Sequence, residues 1–127
     1  MLSNQPVGVT VPVTDLARAR KFYEGALGLT VAKESATEVT YACGAGTTIE
    51  IFEAPTAGSE RTLANWSVAD IDAEVAALKV AGVVFEHYDE VFGLSMGDDH
   101  ILRTPKGDAA WFRDPDSNLL LLSQPIA

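Results

Sequence analysis

The chain has 127 residues, 47% of them apolar, with 18 acidic and 9 basic side chains and a formal charge of −9 at pH 7. This length and apolar content suit one globular domain with a real core, and the negative charge disfavours nucleic acid and anionic membrane surfaces as partners. A single cysteine, Cys43, excludes an internal disulfide or a cysteine-rich zinc site, favours a reducing compartment, and reads as a small buried hydrophobe because no His or basic residue adjoins it. The opening MLSNQPVGVT shows neither a basic region nor a long apolar stretch, and no segment approaches bilayer-spanning length, so a cytoplasmic location is expected.

The first patterned segment is VPVTDLARARKFYEGALGLTV, residues 11–31. It begins with alternating residues, offers Thr14 or Asp15 as an N-cap, and places Leu16, Ala19, Phe22, Tyr23, Ala26 and Leu27 at helical spacing before Gly28. This predicts strand, amphipathic helix, strand. Short β-rich pieces follow at Glu38–Ala42 and Thr48–Glu53, and APTAGSERT, residues 54–62, reads as a linker.

WSVADIDAEVAALKVAGVVF, residues 66–85, repeats the strand–helix–strand arrangement. Asp70 is its cap, Ile71, Val75 and Leu78 form the buried stripe, and Gly82 is the stop, with a strand expected directly after it. Residues 87–108 are long for a connection and read as an irregular loop, either a functional flap or a mobile solvated segment. Further strands are expected at Ala109–Arg113 and Leu119–Ser123, separated by a turn in which Pro115 holds Asp114 extended and Asp116, Ser117 and Asn118 supply the turn chemistry. Leu119 to Leu122 does not alternate, so both faces of the last strand are apolar.

Each half therefore reads as β-α-β-β-β. The chain is expected to be a single α+β domain, 1–127, built from modules at about 7–54 and 61–124 by duplication of one supersecondary unit.

The stretches VPVTDLARARKFYEGALGL, SVADIDAEV and FRDPDSNLLLL, in this order, resemble the vicinal oxygen chelate superfamily of glyoxalase I, bleomycin resistance proteins and extradiol dioxygenases. The resemblance implies that the two βαβββ modules curl into a U-shaped, mostly antiparallel sheet cleft with the helices outside. It further implies that two chains commonly complete each other's clefts, so a homodimer is expected. Members that hold a metal chelate two substrate oxygens on one divalent ion. The four ligand positions of those members correspond here to Gly8, Glu50, Leu63 and Leu121, of which only Glu50 could bind a metal. One carboxylate cannot replace the three or four donors of such a site, so neither a metal nor another cofactor is expected.

Strand alternation that buries Ile49 and Ile51 under the helices turns Glu50 to the other face with Thr48 and Phe52. The matching phase brings Gly8 and Thr10, Leu63 and Asn65, and Leu119 and Leu121 to the cleft, with Gly8 adding room where an imidazole would stand. Glu50 is either the candidate catalytic base or ligand acceptor, or a structurally satisfied acid. Trp66 falls out of phase and packs behind the sheet, whereas Trp111 either packs in the core or stacks on a planar ligand. His87 and His100 are at no recognisable ligand spacing and read as solvated loop residues. No nucleophile motif, phosphate loop or dinucleotide fingerprint is visible.

The resemblance and the missing ligands together imply a small-molecule binding protein similar to bleomycin resistance proteins, sequestering an antibiotic or bulky metabolite in a metal-free cleft. A bulky guest with one basic or hydroxyl group, set against Glu50, is the expected ligand. Two alternatives stand beside it: a metal-independent lyase or isomerase-like enzyme using Glu50 as general base, and a non-catalytic accessory domain.

Overall fold

Alternation in GVTVPV produces β1 (Gly8–Val13), whose Val11 and Val13 are fully buried while Gly8 and Thr10 face outward. The computed structural model containing it describes residues 1–126 and divides into two units, Met1–Gly58 and Ser59–Ala127. In the first unit, Asp15 caps the next helix by accepting from the Arg18 backbone N–H at 3.0 Å. That helix, α1 (Leu16–Arg20), does not continue as the regular α-helix its spacing predicts. It widens into a π-helical turn over Lys21–Ala26, and Gly28, at φ +70°, follows. The widened turn directs two consecutive side chains at one target. Buried Tyr23 stacks on Tyr41 with ring centroids 6.1 Å apart, and the Glu24 carboxylate accepts from the Tyr41 hydroxyl at 2.9 Å.

Strands β2 (Thr30–Glu34), β3 (Glu38–Ala42) and β4 (Thr48–Glu53) complete a four-stranded sheet of order β1-β4-β3-β2. The β1–β4 pairing is parallel and the others are antiparallel. Helix α1 packs on β4, where Ile49 and Ile51 are buried beside Val39, Tyr41, Leu16 and Ala19.

The second unit repeats this plan with β5 (Thr62–Ser67) and α2 (Ile71–Val80), the latter capped by Asp70 through the Ala73 N–H at 3.1 Å. The chain does not then form the strand expected after Gly82. Phe85 makes only an isolated bridge to Phe112, beside which the Glu86 N–H donates to the Trp111 carbonyl at 2.8 Å. Residues 87–108 are irregular only in part: they contain a small hairpin, β6 (Glu90–Val91) with β7 (Leu94–Ser95), and then β8 (Leu102–Thr104). β8 is the counterpart of β2, displaced along the chain by the hairpin. With β9 (Gly107–Arg113) and β10 (Leu119–Pro125) it gives the order β5-β10-β9-β8, the same plan as in the first unit.

The buried face of the second sheet joins Leu120, Leu122, Ala110 and Phe112 to Ile71 and Val75 of α2, and Trp66 stacks on Phe112 at 6.3 Å. Trp66 thus packs behind the sheet as its phase requires. The protein is a mixed α+β chain with two four-stranded sheets, and among the described residues no helix is long and apolar enough to cross a membrane.

Candidate functional site

On β4 the burial alternates as the sequence implies: Ile49 and Ile51 are buried, and Thr48, Glu50 and Phe52 are half-buried on the opposite face. Register sets Glu50 between Thr10 of β1 and Thr40 of β3. A groove of about 420 Å³ follows this face, with Gly8, Thr10, Lys33, Thr40, Thr48 and Glu50 in its wall. Phe52 shares the face without lining the groove. Gly8 does not add the room anticipated for it. A Cβ there would lie 2.6 Å from Thr48 Oγ1, so the space is taken by a neighbouring hydroxyl.

In the second unit, Leu121 pairs with Trp111 on one side and Asn65 on the other, so these three share the face away from α2. The ladder shifts between Leu119 and Leu120, where β5 advances from Thr62 to Ala64. This bulge takes Leu63 out of the ladder and pairs Thr62 with Leu119. Thr62 is accordingly the residue that meets the indole: Trp111 Nε1 donates to its Oγ1 at 3.3 Å. Tyr88 packs on the same indole at 5.9 Å and 74°, and burial pushes its phenol above the ordinary range.

Trp111 walls a cavity of about 540 Å³, and it is the one residue of the expected site to do so. Phe92, Leu94, Leu102, Pro105, Ala109 and Pro125 supply the apolar lining, with Thr104, Lys106, Asp108, Ser123 and Gln124 as polar members. Gly107, at φ +136°, lets β9 approach β10 closely, since a Cβ there would lie 2.5 Å from the Gln124 carbonyl oxygen and 2.9 Å from Pro125 Cα. Beside the cavity Arg103 gathers Asp72, Asp99 and Asp108 at 2.7, 2.9 and 2.9 Å. Its hydrogen bonds hold the Asp72 carboxyl below the usual range, and the Ile101 N–H followed by Arg103 does the same for Asp99.

The residues at the four expected ligand positions do not fit a divalent metal. Gly8 carries no donor and its neighbouring space holds the Thr48 hydroxyl; Leu121 lies against Trp111; Leu63 sits at the bulge, 37% exposed; and Glu50 alone offers oxygen. His87 and His100, distant from recognisable ligand spacing, nevertheless meet edge to face at 5.8 Å, with His87 Nε2 3.7 Å from Asp89. Among the described residues, no group of three or more His, Cys, Asp or Glu side chains is arranged to hold a metal ion.

Sequence reasoning missed Phe92, Lys106 and Thr62. VFGLS did carry a hairpin signal, a glycine-containing pair between apolar residues, but nothing local announces the bulge that substitutes Thr62 for Leu63.

Residues 6–122 match the Glyoxalase/Bleomycin resistance protein/Dioxygenase superfamily. No curated protein matches the sequence. Among solved structures, the chain is similar to TnmS3, an antibiotic binding protein from Streptomyces sp. CB03234, at 25% identity and TM-score 0.71 over 99% of each chain. A glyoxalase/bleomycin resistance protein from Streptomyces sp. CB03234 is also 25% identical, with TM-score 0.67 over 94% of this chain and 100% of that one. A putative glyoxalase family protein from Bacillus anthracis, 16% identical, shares the fold at TM-score 0.76 over 99% and 98% of the two chains. The duplicated βαβββ plan, the capped helices at Asp15 and Asp70, and a match spanning nearly the whole sequence make this chain a member of the glyoxalase/bleomycin resistance protein/dioxygenase superfamily.

Proposed function

We propose that the protein binds and sequesters a small organic molecule, an antibiotic or another bulky metabolite, without a metal ion. The observation that carries this reading is the cavity of about 540 Å³ walled by Trp111. Sites for drug-sized ligands occupy about 300–1,000 Å³ and combine apolar walls with a few polar groups. The indole is held in place by Thr62 and Tyr88 before any ligand arrives, which lowers the ordering cost of binding. Similarity to TnmS3, an antibiotic binding protein, supports the ligand class.

Glu50, flanked by Thr10 and Thr40, is the polar seat of the first unit and suits a hydroxylated or cationic group. Exposed Leu2 and Val7, next to β1, support assembly as a homodimer, which sedimentation at micromolar concentration tests.

Calorimetric titration of the purified protein with a panel of antibiotics, beside an assay for turnover of oxoaldehydes, tests the function. Saturable heat without turnover, lost in Trp111→Ala, is expected. Turnover lost in Glu50→Gln would replace binding with catalysis. For a cationic guest seated on the first unit, Glu50→Gln should weaken affinity by about 1.5–3 kcal/mol.

A further inference from the structure

The β6–β7 hairpin ends on Phe92, whose side chain is 87% exposed and whose φ is +53°, followed by Gly93 at +76°. Two-residue turns of this hand favour Asn, Asp or Gly at the first position, because a bulky side chain there crowds its own backbone. Phe at this site therefore carries two costs, a strained backbone and an aromatic ring in water. Nothing in the turn requires either. The ring lines the same cavity as Trp111.

The polar members of the wall narrow the guest further. Thr104 Oγ1 donates to the Gly107 carbonyl at 2.6 Å, Asp108 shares Arg103 with Asp72 and Asp99 and accepts from it at 2.9 Å, and Ser123 Oγ donates to Asn65 Oδ1 at 2.9 Å. The Gln124 side-chain carbonyl accepts from the Ile71 N–H at 2.8 Å, so this side chain is turned to the α2 face with Leu120 and Leu122. The Lys106 ammonium has no partner among the described residues. Lys106 is thus the cation of this wall, and it is uncommitted among the described residues.

We propose that Phe92 is the capping contact of this cavity and that its guest is a flat aromatic molecule bearing an anionic oxygen, touching the Trp111 and Phe92 rings with the oxygen beside Lys106. This rests on the reading of the cavity as the binding site, and it adds the ligand class and the hairpin contact. A rigid aromatic gains from contact with more than one ring, and an ammonium pairs best with a carboxylate or phenolate.

The test is calorimetry on the full chain with three naphthyl probes that differ in charge: 2-naphthoate, 2-naphthylmethanol and 2-naphthylmethylammonium. The naphthoate is expected to bind about tenfold more tightly than the alcohol. Lys106→Gln should bring the two to equal affinity, and Phe92→Ala should weaken both by about five- to tenfold while preserving their ratio. Equal or tighter binding of the alcohol or the ammonium probe would overturn the anionic guest and leave the cavity reading intact. Unchanged affinities in Phe92→Ala would overturn the cap, as would a Phe92→Ala protein that sediments as a smaller assembly than the unmodified chain, which would assign the ring to a subunit interface. Absence of heat from all three probes would remove the proposal, and naphthoate affinity unaltered in Trp111→Ala would instead refute the cavity as the site.

Discussion

Replacing Asp114 with Ala should destabilise the protein by about 4 kcal/mol, because the Asp114 carboxylate organises the turn between β9 and β10. Asp114 and Asn118 are both buried, Asn118 completely. One carboxylate oxygen accepts from the backbone N–H groups of Asp116 and Asn118, each at 2.9 Å, and the other accepts from the Asn118 side-chain amide at 2.8 Å. Removing the carboxylate takes the acceptor from two donors on fully buried Asn118, each loss costing about 1–3 kcal/mol, while half-buried Asp116 loses less. The sum is about 2–6 kcal/mol, and additivity fails most readily between groups that share one acceptor. Asp114→Asn keeps the shape and one acceptor oxygen, so its loss should be about half as large. Urea unfolding followed by tryptophan fluorescence at constant pH measures both. A shift below about 1 kcal/mol for Asp114→Ala would show that the turn holds without its carboxylate, and would refute the lost-acceptor argument.

Gly107→Ala should destabilise the protein by more than about 1 kcal/mol, since the residue has φ +136° and its Cβ would meet backbone atoms of Gln124 and Pro125; an unchanged urea midpoint would contradict this. Glu24 is held below the ordinary carboxylate range first by its hydrogen bond to Arg20 and then by that from Tyr41. Its stabilisation is therefore complete above the unfolded carboxylate pKa and is lost as pH falls through the folded value, so Glu24→Gln should flatten the urea midpoint between about pH 6 and pH 3. A variant with the same acid dependence as the unmodified chain would place the acid-sensitive group elsewhere. Elemental analysis of protein purified without chelator should find no stoichiometric divalent metal, and a metal lost in Glu50→Ala would show that Glu50 belongs to a donor set other than the one assigned here.

Much of the local structure was legible in the residues themselves. Asp15 and Asp70 cap their helices as read, and the strands Glu38–Ala42 and Thr48–Glu53 have the bounds the pattern implied, because capping and alternation are encoded within a few neighbouring residues. The placement of Glu50 opposite Ile49 and Ile51 followed from the same two-residue period. Only tertiary pairing decided the rest. The bulge that sets Thr62 rather than Leu63 beside Leu119, the bridge at Phe85 in place of a strand, and the cavity joining Phe92 to Trp111 all depend on partners distant in the chain. No window of sequence contains both partners of such a pair, and one shifted register exchanges which side chain faces the ligand and which faces the core.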